Sequence, residues 1–510
     1  MNTNGTGMND YQLIKNNLEF SRGVDELAQP WVFRWYIIAF CFAPAFLILF
    51  LGRIADDANF LVLSGQYALA YGTYLALFQL RDKPLLNPIQ AVVLLFHWWF
   101  AVGPSLAVFF AVKRSDPDML SRYVASGGEA LWVVALGIQV YAFSANRTMH
   151  WCRGRINHAS FLMPDGLLYR QKTLLAYWLV GGVLALVIAV LARFGIVGNQ
   201  TISYLGGTVS ENWFVSALEA IGAIAIFATV GVMGYLAGPV LPHTLKFKMI
   251  AVGLIIFNTI TAFTSGWKGA IVQGFALIFI VMFVWRQKVP YILVAVLALS
   301  YLFIIEPFVN NMRYVAEIAK ISTTEERAEL FKIGLDSGIV MDEMRDHEVN
   351  IESPFRGIFL LANGIAEESS LFNGPWDNTI SEGMLSLVPR AIYPDKPDMN
   401  MGNFFGRYLG AVDPDDYMTN MGVSIPFEFV GNYGYMAGIL SFGLIGIVWT
   451  LFCVWLLSAD RLATHPLAPL CIIFALGLEA SVGQFLAKFR DLPLVFGAAF
   501  IVWIALKKRL

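Results

Sequence analysis

Charge is scarce in this chain. Asp, Glu, Lys and Arg together make up 14% of its 510 residues, while hydrophobic residues make up 57%. Soluble globular proteins carry about 25% charged residues, so the composition excludes an ordinary water-solvated domain and points to a protein solvated mainly by lipid. Cysteine is equally sparse. Cys41, Cys152, Cys453 and Cys471 match neither a CxxC nor a metal-ligand spacing, and core or bystander thiols are expected. The six histidines are scattered, and His97, beside Trp98 and Trp99, reads as a satisfied packing residue. There is no Gly-rich phosphate loop, no HExxH and no Ser-His-Asp order, so nucleotide, zinc-protease and triad chemistry have no motif to rest on. Asp413, Asp415 and Asp416 alternate like a cation loop but lack the rest of an EF-hand pattern, and a solvated turn is expected. Neither a cofactor, a metal nor a nucleic-acid partner is expected. The chain shows no internal repeat and no low-complexity tract. Its first thirty residues are polar and its first apolar run is too long for a signal-peptide core, so no cleavable leader is expected.

What the chain has in abundance is long apolar runs. A spanning helix needs about 20 mainly apolar residues. Twelve candidates centre near residues 42, 70, 100, 135, 184, 224, 257, 277, 298, 446, 476 and 498. The expected fold class is therefore an all-α polytopic membrane protein with about 12 transmembrane helices. Lys and Arg in short loops set orientation. Arg147, Arg153, Arg155, Arg170 and Lys172 lie between spans four and five, Lys246 and Lys248 after span six, and Arg286 and Lys288 after span eight. Arg461 follows span ten, and Lys507, Lys508 and Arg509 end the chain. Twelve spans put all of these on one face, the cytoplasmic one, with both termini. Lys113, Arg114 and Arg122 depart from the rule. The expected organisation is a cytoplasmic segment 1–30, a bundle of nine spans 31–305, an outer loop domain 306–432, and spans ten to twelve with a basic tail in 433–510.

The loop 306–432 holds 21 Asp and Glu against 9 Lys and Arg, a net of −12, so the remainder, with 26 basic and 16 acidic residues, carries +10. A connector this long carries its own structure or function. Ser322 to Glu325 reads as a capping box ahead of EERAELFKIG. PFRGIFLLANGIAEESSLF reads as a second, amphipathic helix for the bilayer surface. Four cations gather by sequence where loop and spans meet: Lys268 in FTSGWKGA, Arg313 in EPFVNNMRY, Arg356 in ESPFRG, and Arg390 in LVPRAIYPDKP. Guanidinium groups match phosphate oxygens two at a time, so a phosphate or pyrophosphate head group is the natural partner. The prolines around Arg390 preset the backbone and so fix the direction of its side chain.

LVPRAIYPDKP, followed by GNFFGRYLG and then SIPFEFVGNYGYMAGIL, resembles the outer-loop signature of bacterial oligosaccharide repeat-unit polymerases, the Wzy type of O-antigen and exopolysaccharide polymerase. The matching features are Pro389–Arg390, the turn Tyr393 to Pro397 with Lys396, and Glu428, Asn432 and Gly434 leading into the next span. FTSGWKG is similar to the family's Gly-Ser-Arg turn, with Lys268 where arginine is more usual. The resemblance covers roughly residues 255–445.

It implies a GT-C-like, multi-span glycosyltransferase of the bacterial inner membrane. Such enzymes move a growing glycan from its polyprenyl-pyrophosphate carrier onto a new lipid-linked repeat unit at the outer face. Donor and acceptor lipid-linked oligosaccharides and membrane lipid are the implied partners, with a chain-length regulator and a flippase beside them. Arg390, with Lys268, Arg313, Arg356 and Lys396, is then expected to hold the pyrophosphate. Glu428, and after it Glu367 or Glu368, is the expected proton acceptor, and Tyr393, Trp376 and Asp377 are expected to meet sugar. Three alternatives stay open: an O-antigen ligase resting on His347, a transporter or flippase using the intramembrane acids Glu219 and Glu479, and a scaffold for envelope assembly.

Overall fold

The structure, a computed structural model, describes residues 30–55, 60–81, 86–114, 117–153, 379–388, 401–409 and 421–507 apart from 464 and 466, with single positions within 176–187, 292–299, 358–366 and 392–393. The described residues contain helices and turns and no β-strand. Five of the helices are long and apolar enough to cross a bilayer: Arg34–Gly52, Phe60–Gln79, Pro88–Phe109, Gly127–Cys152 and Tyr435–Leu457. These coincide with the first four and the tenth of the spans expected from sequence, and they make the chain a helical membrane protein. The spans expected near 224, 257 and 277, and the loop helix expected after Ser322, lie outside the described residues. Near 184 and 298 the described positions are helical.

The elements are α1 (Pro30–Ala55), α2 (Phe60–Gln79), α3 (Pro88–His97), α4 (Gly103–Arg114) and α5 (Pro117–Cys152), with a π-helical turn Trp98–Val102 joining α3 to α4. Later come α6 (Thr379–Met384) with a 3₁₀ turn Leu385–Leu387, α7 (Met401–Tyr408), α8 (Ile425–Tyr433), α9 (Tyr435–Leu457), α10 (Ala468–Ala475) with a 3₁₀ turn Leu476–Glu479, and α11 (Val482–Lys507).

The turn from α2 to α3 shows how a few polar residues set the bundle. Asn87 caps α3, accepting from the amides of Ile89 and Gln90 at 3.0 and 2.9 Å, while the Gln90 side chain accepts from the Asn87 amide at 3.1 Å. Their remaining amide groups reach back to α2, Asn87 to the Leu80 carbonyl at 3.1 Å and Gln90 to that of Leu77 at 2.8 Å. Both side chains are buried, and both are fully used as caps and ties. His97 behaves likewise. It is buried, with Thr73 Oγ1 3.1 Å from Nδ1 and the Phe40 carbonyl 3.1 Å from Nε2, so Nε2 carries the proton and the ring is a satisfied packing residue. The four cysteines are free and buried, as core thiols.

Between apolar helices in lipid there is little hydrophobic gradient, so close packing of small residues does the work. The α5–α9 pair follows this rule. Gly446 sits where a Cβ would lie 2.8 Å from the Tyr141 carbonyl oxygen, and Phe442 lies over Gly137. Trp449 of α9 donates to the Pro88 carbonyl at 3.1 Å, and Phe442 meets Phe96 at 4.8 Å between ring centroids. Thus α3, α5 and α9 form one packed core, and the end of it that holds Tyr435 and Glu129 carries the site. There the Tyr435 hydroxyl donates to the Glu129 carboxylate and lies 2.7 Å from the Ala366 carbonyl of the loop. Ala362, Ile365 and Ala366, expected in a surface-lying amphipathic helix, are helical and fully buried against protein.

Candidate functional site

Two interrupted helices meet at this end of the bundle. The first interruption lies between α8 and α9. Gly434 takes φ 82°, a left-handed value open to glycine, and ends α8 with its amide 2.7 Å from the Val430 carbonyl. The chain then reverses. A Cβ on Gly438 of α9 would lie 2.3 Å from Val430 Cγ2 and 3.2 Å from the Pro426 carbonyl, so α8 lies folded back along the first turns of α9. Phe427 of α8 stacks on Phe100 at 5.2 Å, fixing this half-helix against the π-helical turn. The residue before α8, Ser424, is buried at φ 59°, a strained setting for a side chain with a Cβ. The second interruption separates the 3₁₀ turn after α10 from α11, where Ala480 is extended.

Each break supplies what the other lacks. The Ser424 amide donates to the Glu479 carbonyl at 2.7 Å, and the Val482 amide donates to Glu428 Oε2 at 2.7 Å. Amides at helix starts have no partner within their own helix, and a buried one must find one elsewhere. The Glu428 carboxyl therefore closes the start of α11, where the helix dipole also favours negative charge.

Glu428 is fully buried. Burial raises its pKa to about 7, and the Val482 amide and the Thr379 hydroxyl pull the other way. Oε1 has no partner at hydrogen-bond geometry among the described residues. One turn on, Asn432 Nδ2 donates to the Glu428 carbonyl at 2.8 Å and to the Thr379 hydroxyl at 2.7 Å. The Glu-x-x-x-Asn-x-Gly spacing thus has a local meaning. Glu428 and Asn432 share one helix face, and Gly434 turns the chain.

Thr379 opens a loop segment that docks against α8 and α11. A Cβ at Gly383 would lie 3.0 Å from the Gly483 amide nitrogen, so backbones touch there. Further along, Arg490 of α11 donates to the Ser386 carbonyl at 3.3 Å while its Nε pairs with Asp491 at 2.9 Å. The Val388 amide closes the last turn on the Leu385 carbonyl at 3.0 Å. Pro389 and Arg390 follow directly in sequence and lie outside the described residues.

Of the residues expected from sequence, Glu428 stands at this junction and Tyr393 is exposed on the loop. Arg390, Glu367, Glu368, Lys268, Arg313, Arg356, Lys396, Trp376, Asp377, His347 and Glu219 lie outside the described residues. With no exposed surface, Glu428 meets a sugar hydroxyl only if the cover over Oε1 moves; its visible work is to tie α8 to α11. Sequence reasoning passed over Thr379, Lys488 and Arg490. The last two sit inside an apolar run near 498 taken as a span, where ionisable residues are a functional signal.

Fold and site together define an α-helical membrane protein with a loop segment docked into interrupted helices. Residues 214–404 match a family model described as a domain of unknown function, DUF8712. No curated protein and no solved structure matches the chain.

Proposed function

We propose that this protein is a glycosyltransferase that polymerises polyprenyl-pyrophosphate-linked oligosaccharide repeat units, a Wzy-type polymerase with about 12 spans and a GT-C-like arrangement. On this reading it works at the outer face of a bacterial inner membrane, with both termini in the cytoplasm and residues 306–432 outside. The observation that carries it is the docking of residues 379–388 beside the Glu428 junction. It anchors the base of the Pro389–Arg390 arm within two residues of a described, hydrogen-bonded position.

An arm stiffened by proline and anchored at its base can present a guanidinium with little ordering cost at the moment of reaction. When the glycan leaves its carrier, negative charge concentrates on the polyprenyl pyrophosphate. Fixed cations lower the energy of that charge in the transition state. Arg390 takes this role, with Lys268, Arg313, Arg356 and Lys396 binding the rest of the head group. Tyr393, with Trp376, offers an aromatic face to sugar.

The test is reconstitution. Purified protein in liposomes, given lipid-linked repeat units extracted from cells that lack it, should yield lipid-linked chains of two and more repeats and release polyprenyl pyrophosphate. A flippase is the second reading, favoured by the interrupted α10–α11 run with Glu479 and Lys488 in it. It would move labelled lipid-linked sugar across the vesicle wall with no chain growth.

A further inference from the structure

Four buried side-chain oxygens at the Glu428 junction have no hydrogen-bond partner among the described residues: Ser386 Oγ, Ser424 Oγ, Glu428 Oε1 and Asn432 Oδ1. Three of them recur at every fourth residue along α8. The Glu428 amide donates to the Ser424 carbonyl at 3.1 Å, so helical spacing already holds from Ser424 onward, and residues four apart share one face of a helix. Glu428 and Asn432 are pinned with these oxygens left over. The Val482 amide holds Glu428 Oε2 at 2.7 Å, which leaves Oε1 unused on a carboxyl with no exposed surface. Asn432 Nδ2 donates to two acceptors, the Glu428 carbonyl at 2.8 Å and Thr379 Oγ1 at 2.7 Å. That double donation fixes which end of the amide is oxygen. Thr379, itself buried, accepts one hydrogen bond and keeps a second lone pair.

The leftover atoms are a carboxylate oxygen, an amide oxygen and hydroxyls. All can accept, so a phosphate or a second carboxylate is repelled, and a cation is what the set suits. A buried carboxylate also needs a countercharge. Among the described residues no basic side chain pairs with Glu428. Asn432 lies in the last turn of α8, at the negative end of its dipole, where a cation is favoured. Calcium sites collect six to eight oxygens, and no group of three His, Cys, Asp or Glu gathers among the described residues. One carboxylate with neutral oxygens at a broken helix is instead the donor set of a monovalent ion. We infer that Glu428 Oε1, Asn432 Oδ1 and the Thr379 hydroxyl bind a single sodium ion.

The ion joins three elements that otherwise meet through few hydrogen bonds. Glu428 and Asn432 belong to α8, Thr379 opens the docked loop segment, and Glu428 reaches the start of α11 through the Val482 amide. Sodium therefore fastens residues 379–388 to the two interrupted helices and neutralises the carboxylate between them. The site stands apart from the polymerase reading, and neither depends on the other.

The experiment melts full-length protein in detergent at pH 8.5, with choline chloride replaced stepwise by sodium chloride at constant ionic strength. The parent's melting temperature should rise along a saturating curve, by about 2 °C or more, as for a ligand that binds only the folded state. Potassium chloride should do less. In choline chloride Glu428→Gln melts above the parent at this pH, and sodium narrows that gap, because the variant should not respond to it. Thr379→Val should need about tenfold more sodium for half the effect. Radioactive sodium retained by the parent should approach one ion per chain, displaced by unlabelled sodium chloride and not by choline chloride. Should Glu428→Gln misfold, Thr379→Val and the retained sodium carry the test. A melting temperature indifferent to sodium, with no ion retained, would mean that water alone meets these oxygens and would overturn the assignment. An equal rise in potassium chloride, or an equal sodium response in Glu428→Gln, would overturn it as well.

Discussion

Replacing Glu428 with glutamine should make the protein more stable at alkaline pH and leave it unchanged in acid. The carboxyl is fully buried, and its pKa rises from 4.5 to about 7 because burial disfavours the charged form. Below the unfolded value it is neutral in both states and carries no penalty. Between 4.5 and about 7 the unfolded chain gives up the proton while the folded protein keeps it, so stability falls as pH rises. Above that range the loss is constant. At 1.36 kcal/mol per unit it amounts to at most about 3 kcal/mol. Glutamine keeps an oxygen for the Val482 amide and has no charge to bury.

The charged groups in the neighbouring elements, Glu382, Glu479, Lys488, Arg490 and Asp491 among them, are the same in both proteins, so the difference between parent and variant isolates Glu428. The assay is thermal unfolding followed with a thiol-reactive dye, since all four cysteines are free and buried until the fold opens. Melting curves should coincide near pH 5 and separate by pH 8.5, with the variant melting higher. A variant that melts lower at pH 8.5, or that loses stability with pH as steeply as the parent, would refute the reasoning.

Other outcomes follow from the same structure. Arg390→Ala and Arg390→Lys should both lower polymerisation by about 100-fold or more at normal protein abundance, because lysine keeps charge but not the two-pronged donor; quantitative blotting beside glycan gels reads both. Gly446→Ala pushes a Cβ toward the Tyr141 carbonyl oxygen, 2.8 Å away, and should cost about 1–3 kcal/mol by overpacking, seen as a lower melting temperature. Asn432→Ala removes the bridge from α8 to Thr379 and should increase protease cutting between residues 379 and 388. Alkaline phosphatase fused after Arg153 should be inactive, and fused within the loop near residue 410 it should be active. An active fusion at Arg153 would invert the proposed topology.

The apolar runs near 42, 70, 100, 135 and 446 were legible because twenty consecutive apolar residues leave few structures open but a crossing helix. The interruptions were not. SIPFEFVGNYGYMAGIL reads as one approach to a span, yet the chain folds it into a half-helix, a turn at Gly434 and the span proper. Hydropathy cannot register that reversal, since both halves are apolar. What decides it is a backbone angle at one glycine and close contact at another, Gly438. At Ala480 the expectation also differs: a span was expected near 476, whereas the chain breaks at Ala480 and Ala468–Glu479 is a shorter apolar helix that is not among the five long enough to cross. Glu479 stood out in sequence as an acid in an apolar run, whereas Lys488 was passed over. Glu428 was visible as a carboxylate flanked by Phe427 and Phe429. Its partner is the amide of Val482, and a backbone amide 54 residues away leaves no mark on side-chain pattern.

The most direct test of the central claim is the surface-glycan gel of cells deleted for this protein, run beside the same cells carrying it back. The polymerase account predicts that the long ladder collapses to glycans carrying a single repeat unit and that the ladder returns on complementation. Loss of every repeat unit from the surface, or an unchanged ladder, would contradict it.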